Sequence, residues 1–392
     1  MMARLRDVFE CQITGEWGSE CAENEIGIKV LRTTNFTPQG RINYDDIVVR
    51  SINESKVEKK RLHYGDIILE KSGGTEKTPV GRVVFCDESI EESIYLCNNF
   101  TQAMRVNQAI AIPRYVFYFM WNLHYSGKTD LLQNKTTGIR NLQVKSYLNE
   151  NCPLPSLGEQ CKIAAVLDKV SDLIAKRRRQ LAKLDELVKS RFIEMFGEGN
   201  YSNVALIDII AEGAGLSYGI VQPGDDGTGD MGVLRPVDLV NGKISTASIK
   251  YIERSIGDGF RKTELTGDEL LITVRGTTGV TALTDTRFRG MNVTRGIAVI
   301  RYDRNKTNPV YLNVYLNTEE SQRYIQEHTR GATLQQINLS DLRIQPIMVP
   351  PIELQERFAD FVEQTDKSKA AIQKSLETLE TLKKALMQQY FG

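Results

Sequence analysis

The sequence predicts a mixed protein of the α/β (α+β) class: two globular domains joined by two long antiparallel coiled-coil helices, built as an internal pseudo-two-fold repeat. Three observations lead there. Segments of the second half of the 392-residue chain match segments of the first, in order, 195 to 203 positions later. Each half begins with short β-type runs broken by Gly, Asn, Asp and Pro. Each half ends in a long stretch whose apolar residues recur at spacings of three and four.

The repeat is the most informative of the three. Residues 191–197 close the first half and 386–392 the second, 195 positions on. The same spacing aligns Pro155-Ser156-Leu157-Gly158-Glu159-Gln160 with Pro350-Pro351-Ile352-Glu353-Leu354-Gln355, and Asn141-Leu142 with Gln336-Ile337. Near the start the spacing is 201 to 203. There Leu5-Arg6-Asp7-Val8 matches Leu206-Ile207-Asp208-Ile209, and Trp17-Gly18 matches Tyr218-Gly219. Val30-Leu31-Arg32 matches Val233-Leu234-Arg235, and Gly65-Asp66-Ile67-Ile68-Leu69 matches Gly267-Asp268-Glu269-Leu270-Leu271. Between these anchors the halves differ freely, so the scaffold is duplicated and what it presents is not.

Taken in order, residues 1–153 form the first globular domain, with β-type runs at 46–49, 66–69 and 82–85 and a helical pattern over 114–123. Residues 154–197 form the central helix, whose seam is Ile163, Leu167, Val170, Ile174, Leu181, Leu184 and Val188, interrupted at Arg177. Residues 198–349 repeat the globular domain, with runs at 270–274 and 296–300 and a helical pattern over 310–316. Residues 350–392 repeat the helix, with a patchier seam of Phe358, Val362, Thr365, Lys369, Ile372, Leu376, Leu379, Lys383 and Leu386. A Pro-containing turn opens each helix and Phe-Gly closes it. About 30 residues of helix make a rod of roughly 45 Å with a domain at each end. The mid-helix run Lys176-Arg177-Arg178-Arg179 reads as a solvated face, with a phosphate or partner contact as the alternative.

Composition narrows the function classes. With 41% apolar and 26% charged residues the chain is an ordinary globular protein. The longest apolar stretches, 116–123 and 205–210, fall far short of a membrane span, and the N-terminus runs straight into charge, so a cytoplasmic protein is expected. Fifty basic residues balance 50 acidic ones, so any nucleic-acid contact has to come from local patches or a basic partner. Cysteines 11, 21, 86, 97, 152 and 161 form no Cys-x-x-Cys, and His63, His124 and His328 are isolated. Buried reduced thiols and no metal site are expected.

Catalytic patterns are missing. Gly127-Lys128-Thr129 approaches a phosphate loop, but Asn122 stands where its first glycine belongs. Asp46 with Glu54-Ser55-Lys56 fits a metal-dependent nuclease only loosely, and a solvated turn explains it as well. Asn151-Cys152-Pro153-Leu154 is not the Pro-Pro-aromatic motif of amino methyltransferases. No dinucleotide fingerprint or nucleophile elbow is present.

The domains instead carry polar, glycine-punctuated loops in corresponding places. One is 71–77, with Lys71, Ser72 and Lys77; its counterpart is 275–279, with Arg275, Thr277 and Thr278. Another is 134–141, with Lys135, Thr136, Arg140 and Asn141; its counterpart is 329–336, with Arg330, Thr333 and Gln335. Cations and hydroxyls suit phosphates, Arg and Lys suit guanine, and Asn and Gln suit adenine. With the matched pairs Trp17/Tyr218 and Arg32/Arg235, these are the candidate DNA-contact residues.

The chain resembles the specificity (S) subunit of type I restriction–modification systems over essentially its whole length. Three features carry the resemblance: the domain–helix–domain–helix layout, the Pro-x-Leu/Ile-x-x-Gln start of each helix (Pro155 to Gln160, Pro350 to Gln355), and the twice-present Gly-Asp-x-Leu/Ile-Leu run before a Gly/Thr loop. It implies a non-catalytic subunit. Each globular part would be a target recognition domain reading one half of a bipartite, asymmetric site in double-stranded DNA. The helices would set the spacer and dock two methyltransferase (M) subunits. It implies no cofactor on this chain; S-adenosylmethionine, ATP and Mg would belong to the M and restriction (R) subunits. Ser156-Leu157-Gly158, Thr365, Lys369 and Lys383 depart from the family pattern. A structural adaptor without DNA binding, a nuclease or fused methyltransferase, and the S subunit of a methylation-only system are the alternatives.

Overall fold

The computed structural model describes residues 2–392 apart from 24, 135–137, 223, 225–228, 241 and 333. The chain divides into two compact units, Met1–Gln180 with Ile372–Gly392, and Leu181–Ala371. Each therefore holds one globular part, a stretch of one long helix and the opposite end of the other.

In the first unit, Phe9–Thr14, Thr101–Val106, Ile67–Glu70 and Val83–Phe85 form an antiparallel sheet in that order. A second sheet places Ile28–Leu31 between an antiparallel Val48–Arg50 and a parallel Tyr95–Cys97. Ile67, Ile68 and Leu69 are all fully buried. Ile67 and Leu69 face the core containing the helix Pro113–Tyr125, while Ile68 faces a separate core with Leu31, Leu62 and Val84. A strand covered on both faces needs a continuous apolar run, which is why the Gly-Asp-x-Leu/Ile-Leu segment does not alternate. Before it, Gly65 turns at φ +88°, as does Gly267 in the second unit, a conformation that favours glycine.

The second unit repeats this plan. Thr281–Leu283, Leu270–Thr273 and Ile297–Ile300 form one sheet, and Lys250–Ile252, Met231–Leu234 and Asn292–Val293 another. Leu270 and Ile272 face one core and Leu271 the other. The repeat extends to single hydrogen bonds. Met2–Arg4 pairs with Asn151–Pro153 in the register in which Asn203–Ala205 pairs with Pro346–Met348. The Tyr115 hydroxyl donates to the Pro153 carbonyl at 2.8 Å, and Tyr311 to Met348 at 3.0 Å.

The Pro-x-Leu/Ile-x-x-Gln motif acquires a physical meaning here. Gln160 is fully buried. Its Oε1 accepts from the Ile112 amide at 2.9 Å, at the start of Pro113–Tyr125, and its Nε2 donates to the carbonyls of Pro155 at 2.9 Å and Ile110 at 3.3 Å. Gln355, also fully buried, accepts from the Asn308 amide at 2.9 Å and donates to Pro350 at 2.8 Å and Lys306 at 3.2 Å. Each glutamine ties the first turn of a long helix to the first turn of the domain's own helix.

The long helices span Leu157–Phe196 and Ile352–Phe391, 40 residues each. That is about 60 Å, longer than the 30 residues expected, because extra turns at both ends enter the globular cores. In the first unit Ile163, Ala164 and Leu167 share a core with Met387 and Phe391; in the second, Val188 and Phe192 share one with Phe358 and Val362. The helices thus run antiparallel within each unit. The Phe before each closing glycine plugs a domain, Phe391 against Tyr115 (centroids 5.2 Å) and Phe196 against Tyr311 (5.0 Å).

The polar seam residues also face inward. Thr365 is buried and donates to the Phe361 carbonyl, and Lys369 pairs with Asp185 at 2.8 Å. Arg177 donates to the Ser375 hydroxyl at 3.2 Å. Its neighbour Arg178 pairs with Glu380 at 2.6 Å, and Lys176, Arg178 and Arg179 are the exposed members of the basic run. Among the cysteines, Cys86, Cys97 and Cys152 are buried, Cys11 and Cys21 half-buried, and all six are free thiols. Cys161 corrects the expectation of burial: it lies on the exposed side of the first long helix, next to inward-facing Gln160.

One core residue is mismatched to its surroundings. Tyr147 is fully buried and its hydroxyl meets no partner, while its counterpart in the repeat, Leu342, is apolar. Tyr147→Phe removes the unsatisfied group and is expected to raise unfolding stability by about 1 kcal/mol in a denaturant titration. A loss of stability would show that the hydroxyl has a partner.

Candidate nucleic-acid interface

The strands that carry the candidate loops bring them together in each unit. In the first, Ser72–Gly74 pairs antiparallel with Arg140–Leu142, with an irregularity between Arg140 and Asn141. The Leu142 amide donates to the Lys71 carbonyl at 2.8 Å, and the Ser72 hydroxyl donates to Asn141 Oδ1. In the second, Arg275 bridges Gln336, the Ile337 amide donates to Val274 at 3.0 Å, and the Gly276 amide donates to Gln335 at 2.9 Å. Leu142/Lys71 and Ile337/Val274 are the same bond in the repeat. Two loops far apart in sequence thus form one surface, built twice.

Lys71, Ser72, Arg140 and Asn141 therefore meet in one unit, and Arg275, Thr277, Thr278 and Gln335 in the other. Lys77 is exposed on the turn beyond, which a Thr75 amide to Thr78 carbonyl bond closes. Thr278 Oγ1 contacts Thr329 Oγ1 at 3.1 Å, and exposed Arg330 lies 3.5 Å from Asp341. Lys135, Thr136 and Thr333 lie outside the described residues. Glycine at the centre of each surface takes positive φ, +95° at Gly73 and +83° at Gly276. A Cβ on Gly276 would meet nothing within 4 Å, so that backbone is open to a ligand.

The matched pairs near the start sit differently. Trp17 is half-buried under the Arg50 guanidinium, 4.3 Å from its ring centroid, and lines a cleft of about 470 Å³ with Asn53 and Asn99. The Tyr218 ring is exposed while its hydroxyl accepts from the Leu339 amide at 3.4 Å. Arg32 pairs with Asp46 at 2.8 Å, and Arg235 with the fully buried Asp238 at 3.2 Å. Their backbone amides donate at 2.8 Å to Asn35 and Asp238 respectively. These two arginines brace the turn after an inner strand.

Sequence reasoning missed the apolar and cationic rim. A groove of about 480 Å³ in the second unit is lined by Arg275 and Thr277 together with Val237, Thr294 and Leu334. Val237 and Leu334 are exposed, as are Ile139 and Phe100 in the first unit. Leu334 and Ile139 are equivalent in the repeat, so extending the alignment through the loops would have found them. Exposed Arg295 follows Thr294. Guanidinium, amide, hydroxyl and aliphatic groups on one surface can pair with phosphates and base edges and touch a thymine methyl. Among the described residues no three His, Cys, Asp or Glu side chains are grouped to hold a metal, and no helix is long and apolar enough to cross a membrane.

Two compact units, each with sheets, a two-loop surface and a share of a long helix pair, define a class of internally duplicated proteins. The chain belongs to the type I restriction modification DNA specificity domain family, which it matches over residues 1–186 and 227–381. It is 22% identical over 254 residues to the type I restriction enzyme EcoBI specificity subunit of Escherichia coli, covering 58% of this chain and 53% of that protein. The chain thus spans about half the length of that relative. It is 21% identical over 396 residues to the putative type I restriction enzyme MjaX specificity subunit of Methanocaldococcus jannaschii, covering 98% of this chain and 90% of the other. The crystal structure of a type I restriction–modification S subunit from M. genitalium has the same fold, with a TM-score of 0.57 at 14% identity, covering 100% of this chain and 96% of the other.

Proposed function

We propose that the chain is the DNA-specificity subunit of a type I restriction–modification complex. Each unit reads one half of a bipartite, asymmetric duplex site, and the long helices fix the gap and carry methyltransferase subunits. The chain is not itself a catalyst. S-adenosylmethionine, ATP and Mg belong to methyltransferase and restriction partners, which also supply the phosphate-binding charge that a neutral chain lacks. The observation that carries this reading is the doubled surface: one backbone framework, with the Leu142/Lys71 bond recurring as Ile337/Val274, presenting Lys71, Ser72, Arg140 and Asn141 in one unit and Arg275, Thr277 and Gln335 in the other. Duplicated frameworks with unlike side chains fit two unlike half-sites.

Competition binding by the complex assembled with its methyltransferase subunit tests it. Arg275→Ala is expected to cost about 1–3 kcal/mol on the cognate duplex and to relax discrimination in one half-site only. An equal loss on every sequence would make Arg275 a phosphate contact, and no loss would remove it from the interface.

A further inference from the structure

In the first unit the seam of the second long helix breaks at Lys383. Its Nζ stands 4.3 Å from the centroid of the Trp121 ring and 5.9 Å from that of Tyr118. Every carboxylate around it is already taken. Asp168 pairs with Arg114 at 2.6 Å and accepts from the Tyr118 hydroxyl at 2.7 Å. Asp172 pairs with Arg41, and Glu380 with Arg178 at 2.6 Å. Among the described residues Lys383 is thus a cation without an anion. An ammonium packed in this way is costly to desolvate. Burial, followed by repulsion from Arg114, Arg178 and Arg41, lowers its pKa to about 8, against the attraction of Asp168.

Beside this ammonium lies a cavity of about 270 Å³. Its lining includes Tyr125 and Trp121, stacked on one another at 4.6 Å and 14°, the aliphatic surface of Ile174 and Met387, exposed Lys384 as a second ammonium, and the Arg178–Glu380 pair. The lining combines aromatic and aliphatic surface with two ammonium groups, and the carboxylate in it, Glu380, is paired with Arg178. Arg178, the guanidinium that would favour a phosphate, is committed to Glu380. We propose that this cavity binds a small aromatic or heteroaromatic carboxylate, its ring packed on Tyr125 next to Trp121 and its carboxylate paired with Lys383 and Lys384.

The site is independent of the DNA-reading surface and of the proposed function. Binding is coupled to a proton: the anion pairs with protonated Lys383, so affinity falls as pH rises through the free-state pKa. Trp17 and Trp121 are the chain's two tryptophans. In full-length protein carrying Trp17→Phe, Trp121 alone reports the site by fluorescence. Titration with benzoate near pH 7 is expected to give a saturable change with a dissociation constant on the order of 1 mM or tighter. Binding should be roughly tenfold or more weaker near pH 9.5, should vanish for the neutral isostere benzamide and in Lys383→Met, and should weaken in Lys384→Gln. Met keeps the apolar stem and removes only the charge, so that variant retains the fold. Benzoate and benzamide titrating alike, benzoate binding Lys383→Met as it binds the parent, or no saturable change would each overturn the proposal.

Discussion

Replacing Gln160 with Leu is expected to lower unfolding stability by about 3–5 kcal/mol, although leucine is apolar, similar in size and a better helix former in a buried site. The side-chain amide satisfies the Ile112 amide and the Pro155 and Ile110 carbonyls, and all three lie where a long helix meets a domain. Leucine leaves three backbone groups buried without partners, each costing about 1–3 kcal/mol before relaxation. Gln355→Leu is expected to act alike on the second unit, through Asn308, Pro350 and Lys306. Because the glutamines belong to different compact units, the double variant should lose close to the sum of the two. Urea unfolding followed by circular dichroism measures each. A loss under about 1 kcal/mol would mean that water replaces the amide and the motif serves something other than stability.

The second large effect concerns specificity. Exchanging residues 1–153 for the matching segment of a relative is expected to replace one half-site and leave the other unchanged. Ser72 and Asn141 pair within the first unit, and Arg275 and Gln336 bridge within the second, so each unit carries its own loop surface. Specific sites are typically bound roughly 10³–10⁷ times more tightly than random DNA, so the hybrid should lose most of that margin on the parent's site and regain it on a hybrid one. Binding selections from random duplexes read both half-sites together. A continuous or palindromic target, or a change in both halves, would contradict the modular reading. A matched heptad insertion in both long helices should widen the gap without altering either half-site.

Much of this architecture was legible because it is periodic. The seam residues Ile163, Leu167, Val170 and Ile174 are buried where their spacing placed them, and Thr365, Lys369 and Lys383 hold the same register despite their polarity. Burial on both faces explains the unbroken apolar run around Ile67 to Leu69. Helix length was underestimated because the outer turns near Glu159 and Glu194 present polar residues while Gln160 and Phe196 enter the cores. The role of Gln160 could not be read, since its partner Ile112 is 48 positions away.

The candidate interface was legible in part. Corresponding loops in the two halves led to Ser72 with Asn141 and to Arg275 with Gln335, which the strands bring together. Recurrence alone did not separate ligand contact from scaffold. Arg32 and Arg235 also serve the scaffold: each pairs with a carboxylate, Asp46 and Asp238 respectively, beside an equivalent turn. Of those carboxylates only Asp238 lies close enough in sequence, three positions on, to have been a hint. Exposed Leu334 and Ile139 escaped notice because an aliphatic residue in a polar loop carries no signal until its exposure is known.

The most direct test of the central claim is a map of methylated adenines in the source genome with and without this gene. The account predicts that deletion removes methylation from one bipartite, asymmetric motif whose two halves are separated by unspecified bases, and that restoring the gene restores it. In a genome where the system is expressed, an unchanged map, or loss of a continuous motif, would contradict a specificity role built on two independent reading units.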